Sequence, residues 1–276
     1  LSMSVPVEQK RRQFRELHQA GCFVLPNPWD VGSALALQSL GFKALATTSS
    51  GMAWSMGRPD NAVRLEEVLA HLKSLTEAAG VPVNADFEDG FAQAPEGVAT
   101  NVRRAVETGI AGLSIEDSTG NAAAPLYDFA LAVERVAAAR AAIDEAGADV
   151  VLTARSEGFF VGAPDLDETL RRLEAFAEAG ADCLYAPGIR SEQEISAVVQ
   201  AAAPKPVNVL TLGQPVGELA DLGVRRISLG GALARTAWGE FLRTAKEIAK
   251  EGRFERLAQA AKGAELNKLF ADRRDR

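Results

Sequence analysis

One phrase recurs along the chain: a stretch with helical periodicity, a glycine, two or three residues, and a short apolar run. Each glycine suits the position just after a helix, where a positive φ angle ends it. The apolar runs do not alternate with polar residues, which is typical of strands covered on both faces. Helices alternating with such strands predict parallel βαβ units. The glycines of these phrases are Gly41, Gly80, Gly109, Gly147, Gly180 and Gly223.

Two further apolar runs, CFVLPNPWD near the start and KPVNVL before position 210, bring the expected strands to the number needed for a (β/α)8 barrel. A doubly wound open sheet is the alternative, but PNPWDVGSA lacks the GxGxxG fingerprint of that fold. We expect a single domain over 1–276, with a helix over 7–20 ahead of the barrel and a C-terminal helical extension over about 232–276. The other expected helices cover 62–79, 96–108, 128–146, 165–179 and 191–202.

Composition excludes several classes of function. A net charge of −7 and a pI near 5.1 argue against a nucleic-acid binder. The first twenty residues contain no apolar signal-peptide region, and no stretch is long and apolar enough to span a membrane. Two cysteines make no disulfide framework, so we expect a cytoplasmic protein. Histidine occurs only at His18 and His71, which argues against a histidine triad or a histidine-ligated zinc site.

Carboxylates cluster where the expected strands end. In VPVNADFEDGF, Asp86, Glu88 and Asp89 follow an apolar run, although like charges this close repel one another. Glu116 ends the next strand and Arg155 the one after it. In a barrel these ends meet at one face, where the chemistry occurs. Oxygen ligands without histidine or thiolate favour Mg²⁺ or Mn²⁺, with some carboxylates acting through water.

Each of these residues also has a structural interpretation that stays open. Asp89 and Asp117, and the three candidate metal ligands, could cap the helices that follow. Arg155 could be a counterion of Glu157 or Glu116. The remaining alternatives are turn residues for Ser49 and Ser50, a core residue for Cys183, core or pocket wall for Tyr185, and a tight turn or an anion cradle for Gly230 and Gly231.

The segments NPWD, TTSSGMAWSMGRPD, VPVNADFEDGF, SIED and TARSEGF resemble, in that order, the isocitrate lyase/phosphoenolpyruvate mutase superfamily over roughly residues 10–250. The resemblance implies an α/β barrel whose last helices are swapped between subunits of a homodimer or homotetramer. It implies that Ser50, Gly51 and Met52 hold a substrate carboxylate, that Asp60, Asp86, Glu88 and Glu116 form the metal network, and that Arg155 faces the substrate oxygens. Glu88 departs from the aspartate usual at its position.

A larger departure follows the fourth strand. Lyases of the superfamily carry a Lys-Lys-Cys-Gly-His loop there, whose cysteine is the acid/base, whereas this chain reads IEDSTGNAAAPLYDF. Pro187 also stands where the lyases place a glutamate. Tyr185, Asn208 or Tyr127 could take over the role of the missing acid.

The resemblance implies a Mg²⁺-dependent (or Mn²⁺-dependent) carbon–carbon lyase that acts through a metal-stabilised enolate on a small 2-oxo or 2-hydroxy di- or tricarboxylate. Its activity would be like that of an oxaloacetate decarboxylase or like that of an isocitrate or methylisocitrate lyase. Its substrate would be a small carboxylate such as oxaloacetate, 2-oxoglutarate, isocitrate or pyruvate. Phosphonopyruvate or phosphoenolpyruvate mutase or hydrolase activity is one alternative, and a non-catalytic 2-oxo-acid-binding protein is another. The expected residues are Arg155, Glu116 and Asp60 for catalysis; Trp29, Ser49, Ser50, Gly51, Met52, Asp86, Arg155, Tyr185 and Asn208 for substrate; and Asp86, Glu88 and Glu116 for the metal.

Overall fold

The computed structural model describes residues 5–211 and 213–271, and its centre is a sheet of eight parallel strands. Hydrogen-bonded neighbours follow the order β1-β8-β7-β6-β5-β4-β3-β2. The amide of Ala46 donates to the carbonyl of Pro26 at 3.0 Å, which brings the two ends of the sheet together. The predicted (β/α)8 architecture is therefore confirmed. The strands are Phe23–Leu25 (β1), Leu45–Ala46 (β2), Val83–Asp86 (β3), Gly112–Glu116 (β4), Val151–Arg155 (β5), Cys183–Tyr185 (β6), Val207–Leu210 (β7) and Arg226–Ser228 (β8).

Helices alternate with the strands, as the repeated phrase predicts. The helix ranges expected from sequence agree with the structure to within three residues at each end. The short helix directly after β2 was not expected, because its sequence reads as a turn. The helices are Val7–Leu17 (α1), Val31–Ser39 (α2), Ser49–Ser55 (α3), Leu65–Ala78 (α4), Pro95–Glu107 (α5), Phe129–Glu145 (α6), Leu166–Glu178 (α7), Glu192–Ala202 (α8), Val216–Asp221 (α9), Ala232–Glu251 (α10) and Gly263–Ala271 (α11).

The positive φ angle expected for each glycine of the repeated phrase is absent at one position. The other five glycines have positive φ angles, but Gly80 does not. Helix α4 ends at Ala78, and Ala79 is already extended, with φ −79° and ψ 131°. The amide of Gly80 donates to Gln38 Oε1 at 2.7 Å. Ala79 therefore ends this helix, and the left-handed conformation predicted for Gly80 is wrong.

The N-terminal end of the barrel is closed by α1. The side chain of Phe14 is fully buried and packs with residues of the strand bottoms, including Leu25 and Val151. A Cβ on Gly112 would lie 2.5 Å from the Phe14 ring, so only glycine leaves room for this plug. Cys183 lies in the same cluster, as its interpretation as a core residue expects.

The C-terminal extension leaves the barrel at Ala232. Its α10 buries a single residue, Ala234, and a 3-10 helix, Glu255–Gln259, connects it to α11. Helix α11 lies against α2 of the same chain. The exchange of these helices between subunits remains a prediction, and residues 272–276 of the expected extension lie outside the described residues. Within the part of the chain that the structure describes, no helix has the length and apolarity needed to cross a membrane.

Candidate active site

A cavity of about 520 Å³ opens at the C-terminal ends of the strands. Its walls carry most of the residues expected to bind metal or substrate, so these residues meet in space, and their roles remain predictions. These residues are Ser49, Ser50, Asp60, Asp86, Glu88, Glu116, Arg155 and Tyr185. Carboxylates occupy the side formed by β3 and β4, and Arg155 stands beside them on β5.

Arg155 joins three carboxylates. Its Nη1 lies 2.8 Å from Asp86 Oδ1, its Nη2 lies 3.1 Å from Glu116 Oε2, and its Nε lies 2.8 Å from Glu157 Oε1. Burial would lower the pKa of Arg155, but Glu157, Glu116 and Asp86 outweigh it and hold that pKa well above its usual value. One positive charge therefore faces three negative ones, which leaves the ionised cluster with a net charge of −2. Arg155 is a counterion of Glu116 and Glu157, as its structural interpretation expected, and it also contacts Asp86.

The end of β2 orients Asp86. The amide of Ser49 donates to Asp86 Oδ2 at 3.0 Å, and the amide of Asp86 donates to Thr47 Oγ1 at 2.8 Å. With Arg155 on its other oxygen, Asp86 is fixed on both sides. Sequence reasoning did not include Thr47, although its place in TTSS at a strand end was a signal.

Glu88 is a cavity carboxylate that forms no hydrogen bond or ion pair with its side chain among the described residues, although the charge of Arg155 acts on it from a distance. Its backbone lies in the left-handed region, with φ 47°, which is uncommon for a residue with a side chain and is often seen at functional sites. Burial and the charges of Asp86, Asp60 and Asp89 raise the pKa of Glu88 to about 8. Such a group gains from a cation placed beside it.

Glu116 and Asp60 share this environment. Burial raises the pKa of Glu116 well above its usual value, and the neighbouring Glu157 and Asp86 add to the rise while Arg155 opposes it. Asp60 lies on the exposed rim of the cavity, where partial burial and Asp86 raise its pKa. Both carboxylates are therefore held near other negative charges.

Four of the residues expected to bind substrate lie outside the cavity wall. Met52 is a core residue whose amide donates to Thr48 O at 3.0 Å, and the amide of Gly51 donates to Thr48 Oγ1 at 3.3 Å. Thr48 thus caps α3 and uses the amides that the resemblance offers to a carboxylate. Trp29 is half-buried and lies next to Gly51. Asn208 is fully buried, where its Nδ2 donates to Ser228 Oγ and its Oδ1 accepts from Arg226 Nε.

The capping interpretation of Asp89 and Asp117 is wrong. Asp89 accepts hydrogen bonds from the Phe91 amide at 2.9 Å and from the Tyr127 hydroxyl at 2.9 Å, and no helix begins there. Asp117 is buried and forms a brace: Oδ1 accepts from the Glu157 amide at 2.8 Å, and Oδ2 lies 3.1 Å from Arg172 Nη1. The brace ties the end of β4 to the end of β5. It fixes the backbone of Glu157, whose side chain forms an ion pair with Arg155.

The loop after β4 is short and is held by hydrogen bonds between its own backbone groups. Ser118 and Leu126 form an antiparallel bridge, and the Thr119 amide donates to Pro125 O at 2.9 Å. Of the loop residues 118–126, only Ser118 lines the cavity. Of the three candidates for the missing acid, Tyr127 and Asn208 do not line the cavity, whereas Tyr185 does.

Residues 5–211 and 213–271 include no group of three histidine, cysteine, aspartate or glutamate side chains arranged as a ready-made metal site. The donor set nevertheless fits Mg²⁺, which retains several waters and binds through one or two carboxylates. Glu88 has both oxygens unpaired among described residues and a raised pKa, and Asp86 and Glu116 lie on the neighbouring strands. A hydrated divalent ion would offset the negative charge of this cluster.

Three arginines on the cavity wall were missed in the sequence. Arg190 and Arg235 are exposed at the rim, and Arg226 is buried in the barrel interior. Arg235 follows Gly230 and Gly231 by one helical turn, which was a usable signal. Gly230 has φ 52° and ends the strand in a tight turn before α10.

Comparison with known proteins finds similar sequences along most of the chain. The family model of phosphoenolpyruvate phosphomutase matches residues 14–249. An uncharacterised protein of Mycobacterium tuberculosis is 34% identical over 220 residues, which is 79% of this chain and 81% of that protein. The oxaloacetate decarboxylase of Paraburkholderia xenovorans is 28% identical over 237 residues, or 82% of this chain and 77% of the enzyme.

Solved structures share the whole fold. A Burkholderia cenocepacia protein provisionally classed as a lyase/mutase superposes with a TM-score of 0.94 at 47% identity, covering 96% of this chain and 97% of that one. A phosphonopyruvate hydrolase solved with oxalate and Mg²⁺ has a TM-score of 0.84 at 23% identity, covering 96% of both chains, and is similar in fold.

Proposed function

Since the chain belongs to the phosphoenolpyruvate mutase/isocitrate lyase superfamily, we propose that it is a Mg²⁺-dependent lyase that breaks the carbon–carbon bond β to the keto group of a small 2-oxo dicarboxylate. Oxaloacetate is the simplest such substrate. The observation that carries the proposal is the single Arg155 guanidinium shared by Asp86, Glu116 and Glu157, in the cavity that also contains Glu88, which forms no ion pair among the described residues.

The carboxylates at the ends of β3 and β4 are the groups that would bind Mg²⁺. Asp86, Glu88 and Glu116 would bind Mg²⁺ directly or through its waters. When bound, the ion supplies Lewis-acid stabilisation of the negative charge that develops on the keto oxygen as the bond breaks. Arg155 contributes fixed positive potential in the same partly buried place. The hydroxyl of Ser50, which lines the cavity, is available to orient a substrate carboxylate.

The bound substrate then loses its distal carboxylate. The bond between the β-carbon and this carboxylate breaks, its electron pair enters the enolate, and carbon dioxide leaves. A proton must then be added to the β-carbon. Tyr185 lines the cavity, and burial raises the pKa of its hydroxyl to about 12, so it is protonated at neutral pH and available as the donor.

Decarboxylation is favoured over retro-aldol cleavage because of the loop after β4. Cleavage of a 2-hydroxy acid needs a base that removes the hydroxyl proton. The loop residues 118–126 contain no cysteine, lysine or histidine. Loss of carbon dioxide requires no such base.

A substrate panel tests the proposal. Initial rates would be measured with oxaloacetate, 2-methylisocitrate, isocitrate and phosphonopyruvate, with Mg²⁺ and after treatment with EDTA. We expect turnover of oxaloacetate that EDTA abolishes. Turnover of phosphonopyruvate alone would support a mutase or hydrolase, and binding without any turnover would support a 2-oxo-acid-binding protein.

Two matched variants test the proton donor. Tyr185→Phe removes the hydroxyl that lines the cavity, and Tyr127→Phe removes one that is bonded to Asp89 outside it. We expect Tyr185→Phe to reduce kcat about 100-fold or more, within the usual range of general acid catalysis, while Tyr127→Phe keeps most of its activity. Equal activity of the two variants would exclude Tyr185 as the donor.

A further inference from the structure

Arg226 is a buried cation on the inner wall of the barrel. It begins β8, its residue is only 2% exposed, and it lines the same cavity as Arg155. Ser228, two residues later on the strand, also lines the cavity. Two residues of strand correspond to roughly 7 Å, so Arg226 lies deeper in the barrel than the strand ends that carry the carboxylates.

The hydrogen-bond partners of Arg226 are all neutral. Its Nε donates to Asn208 Oδ1 at 2.9 Å, and its Nη1 donates to Thr153 Oγ1 at 3.0 Å. Nη1 also lies 3.3 Å from His18 Nε2. His18 Nδ1 is 2.7 Å from Phe14 O and therefore carries the proton, which leaves Nε2 as the acceptor. Among the described residues, Nη2 has no hydrogen-bond partner.

The other buried arginines are compensated differently. Arg172 pairs with Asp117 and Glu168, and Arg11 pairs with Glu8 and donates to the carbonyls of Ile110 and Val106. Arg135 donates to three backbone carbonyls, those of Asp89, Ala92 and Gln93. Arg226 has neither a carboxylate nor a backbone carbonyl as a partner among the described residues. A guanidinium held this way is costly to bury unless an anion joins it.

Other buried polar side chains line the same cavity as Arg226. Asn84 is 2% exposed, its Oδ1 has no hydrogen-bond partner, and it lines the cavity together with Ser114. The lower end of this space is closed by the Phe14 plug. The deep end of the cavity therefore carries polar side chains and a buried guanidinium that forms no ion pair among the described residues.

We propose that this deep end of the cavity is a second anion subsite in which Arg226 binds a carboxylate. Nη2 has no partner among the described residues, so its N–H groups are free to donate a charge-assisted hydrogen bond to a carboxylate oxygen while Nε and Nη1 keep their present partners. The carboxylate has two sources: the arm of a 2-oxo dicarboxylate bound above, or a free small carboxylate such as formate. The first source rests on the proposed function, and the second does not.

Thermal unfolding in sodium formate tests the subsite itself. We expect formate to raise the Tm of the wild-type protein saturably and to have no such effect on Arg226→Met. Arg11→Met is the matched control, because Arg11 is also buried but lies outside the cavity, and it should keep the formate response. If formate shifts wild type and Arg226→Met equally, the formate subsite is excluded. Persistence of the response with saturating Mg²⁺ and oxalate would place formate apart from the catalytic centre, and its loss there would overturn the subsite.

Calorimetry distinguishes the two sources. Oxalate is too short to reach both sites, whereas 2-oxoglutarate carries a distal arm. If the arm occupies the subsite, Arg226→Met weakens 2-oxoglutarate binding about 10- to 100-fold, as expected for hydrogen bonds to a charged group, and leaves oxalate binding unchanged. If only the formate response is lost, the subsite takes free anions. Unchanged binding of both ligands with an unchanged formate response overturns the proposal.

A second variant at Arg226 and the binding of oxalate by the wild-type protein cover the two cases in which the experiments above give no answer. Should Arg226→Met not fold, Arg226→Lys keeps the charge without the planar fork, and the proposal then predicts weaker formate binding with oxalate unaffected. Wild-type protein that binds no oxalate with Mg²⁺ contradicts the proposed function. In that case the change in Tm with formate still tests whether Arg226 binds a free carboxylate.

Discussion

Arg155 Nη1 lies 2.8 Å from Asp86 Oδ1, across the ends of β5 and β3. The strand between them contributes Glu116, which lies 3.1 Å from Nη2 of the same guanidinium. Arg155 is thus the group that holds the carboxylates of two neighbouring strands in one place, and it faces the cavity while doing so.

Replacing Arg155 should therefore weaken catalysis strongly. We expect Arg155→Ala to reduce kcat/KM about 100- to 1,000-fold, the usual cost of one electrostatic stabiliser, and Arg155→Lys to recover little, because an ammonium cannot contact three carboxylates in a fixed plane. Steady-state rates with oxaloacetate measure this. Arg104→Ala, which removes an exposed pair with Glu66, is the control and should be fully active. Activity of Arg155→Ala close to that of the control would contradict the role of Arg155.

Glu88 predicts an unusual dependence of stability on pH. Its pKa rises from 4.5 to about 8 on folding, so the native state holds a proton that the unfolded state has lost between these values. The stability that the protonated Glu88 contributes to the folded state is therefore fully present below pH 4.5 and is lost as the pH rises toward 8.

Urea unfolding of chelator-treated protein at pH 5 to 9 measures the effect. The free energy of unfolding of wild type, relative to Glu88→Gln, should fall with rising pH, and Mg²⁺ should flatten the difference. A difference that does not change with pH would show that Glu88 titrates normally.

Gly231 is expected to be a steric constraint on the cavity. A Cβ there would lie 2.6 Å from Ser50 Oγ and 3.1 Å from Trp54, although the φ angle of −74° suits alanine. Gly231→Ala should lower kcat/KM about 10- to 100-fold by displacing Ser50, with little change in Tm. Gly217→Ala, with no neighbouring atom within 4 Å, should keep full activity and gain up to about 1 kcal/mol of stability from helix propensity. Equal activity of both variants would exclude the steric constraint.

The Asp117–Arg172 brace is expected to matter for stability as well as activity. The Asp117 and Arg172 side chains are 1% and 7% exposed. Asp117→Ala removes one of the two carboxylate partners of Arg172, with Glu168 remaining, and leaves the buried Glu157 amide without its acceptor, so it should cost about 1–3 kcal/mol in urea unfolding. Activity should also fall, since the Glu157 backbone loses its anchor. Glu66→Ala, which breaks an exposed pair, should cost less than about 1 kcal/mol. Similar losses in both variants would contradict the importance of the brace.

The barrel could be predicted from sequence because its signals are local. Each apolar run and each helical stretch is read within about fifteen residues, and parallel strands leave few alternatives for the arrangement. The meeting of Asp86, Glu116 and Arg155 followed, since strand ends converge whatever the detailed packing. Gly80 shows the limit of this reasoning, because one extended residue, Ala79, ended the helix instead.

What could not be predicted depends on side-chain orientation. Gly51 and Met52 lie in the segment that the resemblance assigns to substrate, but Thr48 takes their amides as a helix cap. In the pair Arg225 and Arg226, only the alternation of β8 decides which guanidinium enters the barrel. The left-handed backbone of Glu88 has no signal in its residue type.

A divalent cation at the carboxylate cluster is the central element of the proposed function. Calorimetric titration of chelator-stripped protein with Mg²⁺, with and without oxalate, measures this directly. We predict saturable uptake of one ion per chain that oxalate strengthens and Asp86→Asn weakens. Absence of any Mg²⁺ or Mn²⁺ uptake, with or without oxalate, would contradict the account and leave Asp86, Glu116 and Arg155 as a purely structural network.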